Sequence, residues 1–383
     1  MNPRRPAIFA SAFAPHIGGV EELTRQLARE QQQRGLAPVV VTMRWPKTLP
    51  AEEMVDGIPV LRHVFRVPEP SPRFLGGWMA RSHTTKRELA GQLIERRIDL
   101  VHVQCVSGNA RYALAAARAL GVRLVVSMQG ELTMDATGIY QRSSQQRRAW
   151  RKLLDHADAI TGCSQSVLDD ARNAYGGPWT DRSIVIPNGV RVQEFASASA
   201  FSHPVPYLLG IGRMVHQKGF DVLLEAFAHC RSTVDHDLLL AGDGPERPAL
   251  EELALRLGIA GRTRFLGSTN RATTAQLFRG ASMFVLPSRM EPQGIVILEA
   301  MAAQTPVIAS AVGGVAQIVS DRVNGLLVPA EDVRSLSNAI TTLASTPEMV
   351  TRLVKAAVAT AHDHDWTVIT QRYLELYDHR RLA

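Results

Sequence analysis

Short apolar runs alternate along the chain with longer segments whose apolar residues recur on one side. The runs predict buried strands, and the one-sided segments predict helices. In the first half, strands are predicted over 7–10, 38–42, 58–63, 99–104, 123–127, 158–161 and 184–186, and helices over 20–34 and 111–120. Because strands and helices alternate, we expect parallel sheets with right-handed crossovers.

A second α/β series follows residues 197–206 (SASAFSHPVP), whose composition is typical of a linker. Its strands are predicted over 207–211, 237–241, 263–266, 283–286, 306–309 and 325–328, and its helices over 220–229, 246–257, 295–303 and 366–377. The length of 383 residues also fits two domains. We therefore expect an α/β chain with two Rossmann-like domains, over residues 1–198 and 199–361.

Two acids, Glu291 and Glu299, lie in a predicted strand–loop–helix–strand segment. Ligands of open α/β sheets bind beyond the carboxyl ends of the strands, where Glu291 would lie. The amides near Gly294, Ile295 and Val296 would offer donors to an anion at the helix start. A ribose diol could donate two hydroxyls to Glu299, whose burial would otherwise be costly. The alternative is an ordinary loop acid and a partly exposed helix acid.

Further candidates for an anion site follow the first strand of each half. Arg213 and Lys218 lie in GRMVHQKGFD, where cations would meet an anion at the carboxyl end of a strand. Gly18 and Gly19 precede the first helix and would let the backbone approach a phosphate closely. The alternatives are two surface cations and a plain tight turn.

Composition narrows the choice of partners. The net charge is +7, and residues 1–198 carry 26 Lys and Arg against 18 Asp and Glu, a net charge of +8. This predicts a nucleic acid, an anionic membrane surface or a phosphorylated ligand as partner. The three cysteines show no CxxC spacing, which favours a reducing compartment. We interpret the N-terminal segment MNPRRPAIFASAFAP as a first strand, not a signal peptide.

Residues 65–97 interleave arginines with apolar residues. Phe74, Leu75 and Trp78 share one helical face beside Arg73 and Arg81, a pattern typical of helices that dip into an anionic membrane interface. The alternative is an amphipathic helix that packs on its own domain. A second basic segment surrounds Trp150, over residues 142–152.

Several common sites are unsupported by the sequence. No GxxxxGK[ST] phosphate loop occurs, and Gly210 and Gly212 lack the third glycine of a dinucleotide motif. No clustered His/Cys set indicates zinc, so we expect no metal. The aromatic–basic reader motif of nucleic-acid-binding folds is missing as well.

An ordered set of motifs resembles the retaining glycosyltransferases of family 4. The set comprises Pro15-His-Ile-Gly-Gly-Val-Glu-Glu22, Pro187-Asn-Gly189, Gly212-Arg-Met with Lys218-Gly, Gly242-Asp-Gly-Pro245, Phe265-Leu-Gly267, Glu291-x₇-Glu299 and Trp366 to Tyr377. The resemblance spans nearly the whole chain and implies the GT-B fold, with two Rossmann-like domains that face each other across a cleft. It also implies that the final helix, within 362–383, crosses back onto the first domain.

The resemblance also implies roles for the candidate residues on the donor side. Glu299 would hold the ribose hydroxyls, and Glu291 would contact the donor sugar with the amides of Gly294 to Val296. Arg213 and Lys218 would neutralise the diphosphate, which Gly18 and Gly19 would approach from the other domain. The backbone near Phe265 would form a wall for the base.

On the acceptor side, the resemblance points to the loop after the strand at 123–127. Many relatives carry a histidine there, whereas this chain has Gln129, which hydrogen-bonds but does not titrate. Glu131 lies in the same loop, and its role stays open.

The expected activity is retaining transfer of a hexosyl unit from a UDP- or GDP-sugar, without a metal or other cofactor. The acceptor would be a glycan of the cell envelope, lipid-linked and presented at the cytoplasmic face of an anionic membrane, where the protein would be peripheral. The alternatives are the same chemistry on a soluble acceptor, a degenerate regulatory binder, and a non-catalytic nucleic-acid-binding protein.

Overall fold

The structure, a computed structural model, describes residues 4–16, 18–65, 72–134, 138–177 and 182–378, without the side chains of 72–80 and 139. The chain forms two compact units, Met1–Pro187 with Ile369–Ala383, and Asn188–Val368. Among the described helices, none is both long enough and apolar enough to cross a bilayer.

The first unit alternates strands and helices, as its apolar pattern predicts. Its strands are β1 (Pro6–Ala10), β2 (Val39–Met43), β3 (Glu52–Val55), β4 (Ile58–His63), β5 (Leu100–Gln104), β6 (Arg123–Met128), β7 (Ala159–Gly162) and β8 (Ser183–Val185). Its helices are α1 (Gly19–Gln33), α2 (Pro72–Glu95), α3 (Ala110–Leu120), α4 (Ile139–Arg142), α5 (Ser144–Asp155) and α6 (Gln165–Tyr175).

The first sheet has the order β3-β4-β2-β1-β5-β6-β7-β8, parallel except for the β3–β4 pair. Alternate residues of a strand point to opposite faces. One face therefore carries Phe9, Val101, Val103 and Val126, which pack in one apolar core with helix residues such as Trp150. Trp150 is 1% exposed, so this indole belongs to the core.

The other face of this sheet is partly polar. His102 of β5 contacts Ser127 of β6, which in turn contacts Thr161 of β7, at 2.6 Å for both pairs. Tyr373 and Tyr377, near the end of the chain, complete this buried network. The final helix, α15 (Trp366–Asp378), thus packs most of its length on the first unit, as the resemblance implies.

The second unit contains a second, fully parallel sheet. Its strands are β9 (Tyr207–Ile211), β10 (Asp237–Ala241), β11 (Thr263–Gly267), β12 (Met283–Leu286), β13 (Val307–Ser310) and β14 (Leu326–Val328). Its helices are α7 (Val192–Ala196), α8 (Phe220–Cys230), α9 (Arg247–Arg256), α10 (Arg271–Gly280), α11 (Ile295–Ala302), α12 (Val315–Ile318), α13 (Val333–Ser345) and α14 (Pro347–Asp363).

The second sheet has the order β11-β10-β9-β12-β13-β14, which reverses direction between β9 and β12. Leu209, Phe284 and Val307 pack on one face with α10 and α11, and Leu208, Val285 and Ile308 pack on the other with α8 and α13. Helices therefore cover both faces, and the prediction of two doubly wound, Rossmann-like sheets is confirmed.

The structure divides the chain at Pro187/Asn188, not at the predicted 198/199. The reason is that Phe195 on α7 is fully buried in the second unit, with its ring 6.0 Å from that of Phe278. Likewise, the return to the first unit falls at Ile369 and not at 362. His364 stays in the second unit because its carbonyl accepts the Val190 amide at 2.9 Å.

Candidate active site

The candidate site of the second unit lies where the sheet order reverses. Arg213 follows β9, and Glu291 follows the adjacent strand β12. At such a point the two crossovers leave on opposite faces and open a crevice beyond the carboxyl ends of the strands. The structure thus brings Arg213 and Glu291 to the same edge of the sheet, and the binding of an anionic ligand there stays a prediction.

Lys218 and Glu291 meet at this edge, although 73 residues separate them in the chain. Lys218 Nζ donates to Glu291 Oε2 at 2.6 Å, and Ser288 Oγ donates to the same oxygen at 3.3 Å. The Glu291 side chain is only 9% exposed, and the Lys218 side chain 23%. Both side chains are therefore largely buried. The Lys218 ammonium and Glu291 Oε1 are the groups of the pair that could contact a ligand.

Two glycines allow the loops of this edge to pack backbone against backbone. Gly219 has φ 64° and Gly313 has φ 51°, both in the left-handed region that favours glycine. A Cβ at Gly219 would clash with the carbonyl oxygen of Pro287, and one at Gly313 with that of Glu291. The loops after β9, β12 and β13 are thus held at distances that no larger residue allows.

Arg289 adds an ionic clamp between two of these loops. Its guanidinium donates to both carboxylate oxygens of Asp221, at 2.8 and 2.7 Å, and to Glu331 at 2.8 Å. Burial raises the pKa of Asp221, but the hydrogen bond and charge of Arg289 outweigh it, so the pKa lies below its usual value. The clamp connects the loop of Glu291 to the first turn of α8, which follows the loop of Lys218. Sequence reasoning missed it, because no spacing signals a partner 68 residues away.

Arg213 has a different environment. Its side chain is exposed, and among the described residues no carboxylate oxygen lies within 4.0 Å of it. The backbone of its loop is fixed, because the Met214 amide donates to the Asp243 carbonyl at 2.8 Å. Arg213 is therefore a cation on an anchored loop at the candidate site.

The start of α11 faces the same edge. Gly294 caps the helix with φ 91°, and Ile295 and Val296 form the half-buried first turn. The first amides of a helix have no intrahelical acceptor, so they offer donors to an anion. The structure thus places Gly294, Ile295 and Val296 where the sequence predicts an anion site.

Glu299, one turn further along α11, has an ionic partner that the sequence does not reveal. Arg271 Nη1 lies 3.4 Å from Glu299 Oε1, and Arg271 Nε lies 2.6 Å from Glu194 Oε1. The guanidinium of Arg271 also lies 5.1 Å from the ring centroid of Phe195. Glu299 is 13% exposed, so this pairing meets part of the cost of its burial.

Phe265 lies in β11, the edge strand of the second sheet. Its side chain packs on the core between this sheet and α8, and its carbonyl accepts from Arg247 Nη2 at 3.3 Å. Its role beside a base stays a prediction.

The remaining candidates belong to the first unit. Gly18 caps α1 in an extended conformation, and Gly19 begins that helix, where a Cβ would meet open space. Their contact with a diphosphate stays a prediction, as does the acceptor-side role of Gln129, which is half-buried after β6.

Glu131 is a buried acid of the first unit, and backbone amides engage both its oxygens. The Val106 amide donates to Oε1 at 3.0 Å, and the Gln129 amide donates to Oε2 at 2.6 Å. Burial raises the pKa of Glu131, and these hydrogen bonds oppose the increase. The carboxylate thereby ties the loop after β5 to the loop after β6.

Two further expectations concern the surface and metals. The segment with Phe74, Leu75 and Trp78 lies outside the described side chains, and only its helical backbone, within α2, is known. Within the described part of the chain, no three His, Cys, Asp or Glu residues cluster closely enough to hold a metal ion together.

Known families match both units. Residues 17–194 match the family model for Glycosyltransferase Family 4, and residues 192–359 match that for Glycosyl transferases group 1. The GDP-mannose-dependent monoacylated alpha-(1-6)-phosphatidylinositol monomannoside mannosyltransferase of Corynebacterium glutamicum is 26% identical over 96% of both chains. The D-inositol 3-phosphate glycosyltransferase of Kribbella flavida is 32% identical over 59% of this chain and 57% of its own.

Solved structures show the same fold. The Anabaena protein HepE, solved in complex with UDP-glucose, matches with a TM-score of 0.75 and 20% identity. The match covers 97% of this chain and 98% of HepE. Together with the two Rossmann-like sheets, this similarity confirms the predicted GT-B fold class.

Proposed function

Because the chain belongs to the group 1 glycosyltransferases of family 4, we propose that it transfers a hexosyl unit from a UDP- or GDP-sugar to a glycan acceptor. The observation that carries the proposal is the pairing of Lys218 with Glu291 where the second sheet reverses its order. HepE was solved with UDP-glucose, and the Corynebacterium relative is GDP-mannose-dependent, so both nucleotide classes stay within the proposal.

In this proposal, the diphosphate lies between the cations and the start of α11. Arg213 and Lys218 neutralise the charge that grows on the β-phosphate as the glycosidic bond breaks. An ammonium has three donors, so Lys218 holds Glu291 and a phosphate oxygen together. One such electrostatic donor is typically worth about 3 kcal/mol of barrier. The two cations and the helix amides then serve without a metal ion.

The two acids have separate roles. Glu299 accepts hydrogen bonds from the ribose hydroxyls, and Arg271 holds its carboxylate in place. Glu291 Oε2 is engaged by Lys218 and Ser288, so Oε1 is the oxygen proposed to accept from the donor sugar.

We propose transfer with retention and without a covalent sugar–enzyme intermediate, with the β-phosphate accepting the proton of the acceptor hydroxyl. Both oxygens of Glu131 are engaged by backbone amides, and Glu291 is engaged by Lys218. Neither acid is therefore proposed as a nucleophile. NMR of the earliest product should show the anomeric configuration of the donor. Inversion, or a trapped glycosyl-glutamate peptide, would contradict this mechanism.

For the acceptor, we propose a lipid-linked glycan of the cell envelope, bound by the first unit at the cytoplasmic face of the membrane. The name of the Corynebacterium relative, which acts on a phosphatidylinositol mannoside, supports this class. The name of the Kribbella relative, which acts on D-inositol 3-phosphate, supports a small soluble acceptor as the second candidate.

A lipid-linked acceptor requires that the protein attach to the membrane surface. This peripheral attachment is proposed from the +8 charge of residues 1–198. The full chain should sediment with anionic but not with neutral liposomes, and high salt should reverse this because exposed charges are screened. Equal binding to both liposomes, or no binding to anionic ones, would favour the soluble acceptor.

The donor proposal is tested first by thermal shift with a panel of nucleotides and nucleotide-sugars, since a ligand of the native state raises Tm. Calorimetry with the best nucleoside diphosphate then compares two variants. Glu299→Ala should weaken binding of the diphosphate, whereas Glu291→Ala should spare it and reduce turnover of the nucleotide-sugar. Equal loss of affinity in both variants would reject the division of roles.

A further inference from the structure

Four cations from three neighbouring helices lie together on the first unit. This cationic cluster consists of Lys86 on α2, Arg111 on α3, and Arg148 and Lys152 on α5. Arg111 Nη2 donates to the carbonyl of Gln145, at the start of α5, at 3.3 Å. Lys86 Nζ lies 5.8 Å from the ring centroid of Tyr112, the next residue after Arg111.

Three of the four cations lack an acidic partner among the described residues. The side chains of Lys86, Arg148 and Lys152 make no ion pair with any described carboxylate, and Arg148 and Lys152 make no side-chain hydrogen bond there. By contrast, their neighbour Arg151 donates to the Ala174 carbonyl at 3.0 Å. Arg148 and Lys152 are four residues apart on one helix, a spacing at which like charges repel.

The two inner cations show the effect of this crowding. Lys86 and Arg111 are half-buried. Burial lowers the pKa of Lys86, and the charges of Arg111 and Lys152 lower it further. Burial also lowers the pKa of Arg111, with a further contribution from Arg148. An anion at the cluster would relieve both the desolvation and the repulsion.

The surface beside the cluster is shaped to receive such an anion. A shallow concavity of about 590 Å³ is lined by Ser144, Arg147, Arg148, Arg151, Lys152, Asp155 and His156. Asp155, at the end of α5, accepts from Tyr175 Oη at 2.5 Å. Arg148 and Lys152 are exposed and within reach of a ligand, whereas Lys86 and Arg111 are half-buried.

We propose that the cationic cluster of Lys86, Arg111, Arg148 and Lys152 binds a phosphoryl group of an anionic ligand of the first unit. A phosphoryl group suits this set because the planar fork of an arginine matches two of its oxygens, while a lysine adds a point charge. The inference rests on the proposed function in one respect only, namely that the first unit takes an acceptor that carries this group.

The test uses the full chain and inorganic pyrophosphate as the probe, measured by calorimetry. The double substitution Arg148→Gln with Lys152→Gln should weaken pyrophosphate binding at least tenfold. The control, Lys47→Gln with Arg172→Gln, removes the same charge from exposed positions of the same unit and should change the affinity less than twofold. Equal weakening in both variants, or no pyrophosphate binding to the wild type, would overturn the proposal.

A third variant separates this site from the donor site. Arg213→Gln should keep the pyrophosphate affinity of the cluster, and the double variant at Arg148 and Lys152 should keep the affinity for a nucleoside diphosphate. Loss of pyrophosphate binding in Arg213→Gln alone would place the probe at the donor site and refute the cluster. Failure of the donor proposal would instead appear as absent nucleoside diphosphate binding in every variant.

A vesicle flotation assay distinguishes a lipid headgroup from a soluble ligand as the source of the phosphoryl group. The vesicles consist of phosphatidylcholine and contain phosphatidylglycerol. If the Arg148/Lys152 variant loses vesicle binding and pyrophosphate displaces the wild type, the site takes a lipid headgroup. If vesicle binding is unchanged while pyrophosphate binding is lost, it takes a soluble phosphorylated ligand. Either result supports the site.

Discussion

His102 allows a quantitative test of the buried network in the first unit. The residue is fully buried, with Nδ1 2.7 Å from Tyr377 Oη and Nε2 2.6 Å from Ser127 Oγ. Replacement by glutamine, His102→Gln, keeps a side chain that donates and accepts hydrogen bonds but removes the group that titrates.

Burial lowers the pKa of His102 from 6.5 to about 3. Below pH 6.5 the unfolded chain binds a proton that the native state refuses, so stability is present above that pH and falls as the pH drops toward 3. At pH 5 the loss amounts to about 2 kcal/mol, because one pKa unit corresponds to about 1.4 kcal/mol. Near pH 3 the full difference would reach about 5 kcal/mol.

Urea unfolding at pH 7.5 and pH 5.0, followed by tryptophan fluorescence, measures this loss. Four of the five tryptophans, at positions 45, 78, 150 and 179, belong to the first unit, so the signal reports mainly on that unit. The wild type should lose about 2 kcal/mol more than His102→Gln between the two pH values. His83→Gln, at an exposed histidine of α2, is the control and should behave like the wild type.

The comparison refutes the reasoning if the wild type and His102→Gln lose the same free energy between pH 7.5 and pH 5.0. A lower stability of His102→Gln that is equal at both pH values would show only a packing defect.

Three further changes test other parts of the structure. Glu131→Gln should destabilise the first unit by about 2 kcal/mol, since the side-chain amide keeps only one acceptor oxygen and leaves one backbone amide facing an NH2 donor, while calorimetry shows unchanged affinity for a nucleoside diphosphate. Asp221→Asn loosens the Arg289 clamp and should weaken nucleoside diphosphate binding several-fold but leave nucleoside binding unchanged; equal weakening of both ligands would mean a general loss of structure. Arg213→Ala should lower turnover by about 10²-fold in steady-state assays, with wild-type activity unaffected by EDTA; a requirement for added Mg²⁺ would contradict the metal-free proposal.

The periodicity of the chain was enough to predict most strands and both Rossmann-like sheets. Buried parallel strands are short, nearly continuous apolar runs, such as Met283–Leu286 and Asp237–Ala241, and both were predicted at their observed bounds. The strand Glu52–Val55 was not predicted, because half its residues are exposed and its composition is polar. The helix at Val192–Ala196 was not predicted either. Because it belongs to the second unit, the observed domain boundary at 187/188 precedes the predicted one at 198/199.

The sequence by itself also determined the chemistry available at the candidate site. Arg213, Lys218, Glu291 and the first turn of α11 lie in the connections that follow β9 and β12, and parallel strands bring their carboxyl ends to one edge of a sheet. Local order along the chain was therefore sufficient to place them there.

Only the tertiary structure decided which of these groups contact one another. Lys218 pairs with Glu291, Arg289 with Asp221, and Arg271 with Glu299, and each partner comes from a different crossover. Sequence spacing carries no signal for such pairs, because strand order and loop packing set their distances. The same reason applies to Glu131, which connects two loops. The Val106 and Gln129 amides that donate to it are positioned by β5 and β6.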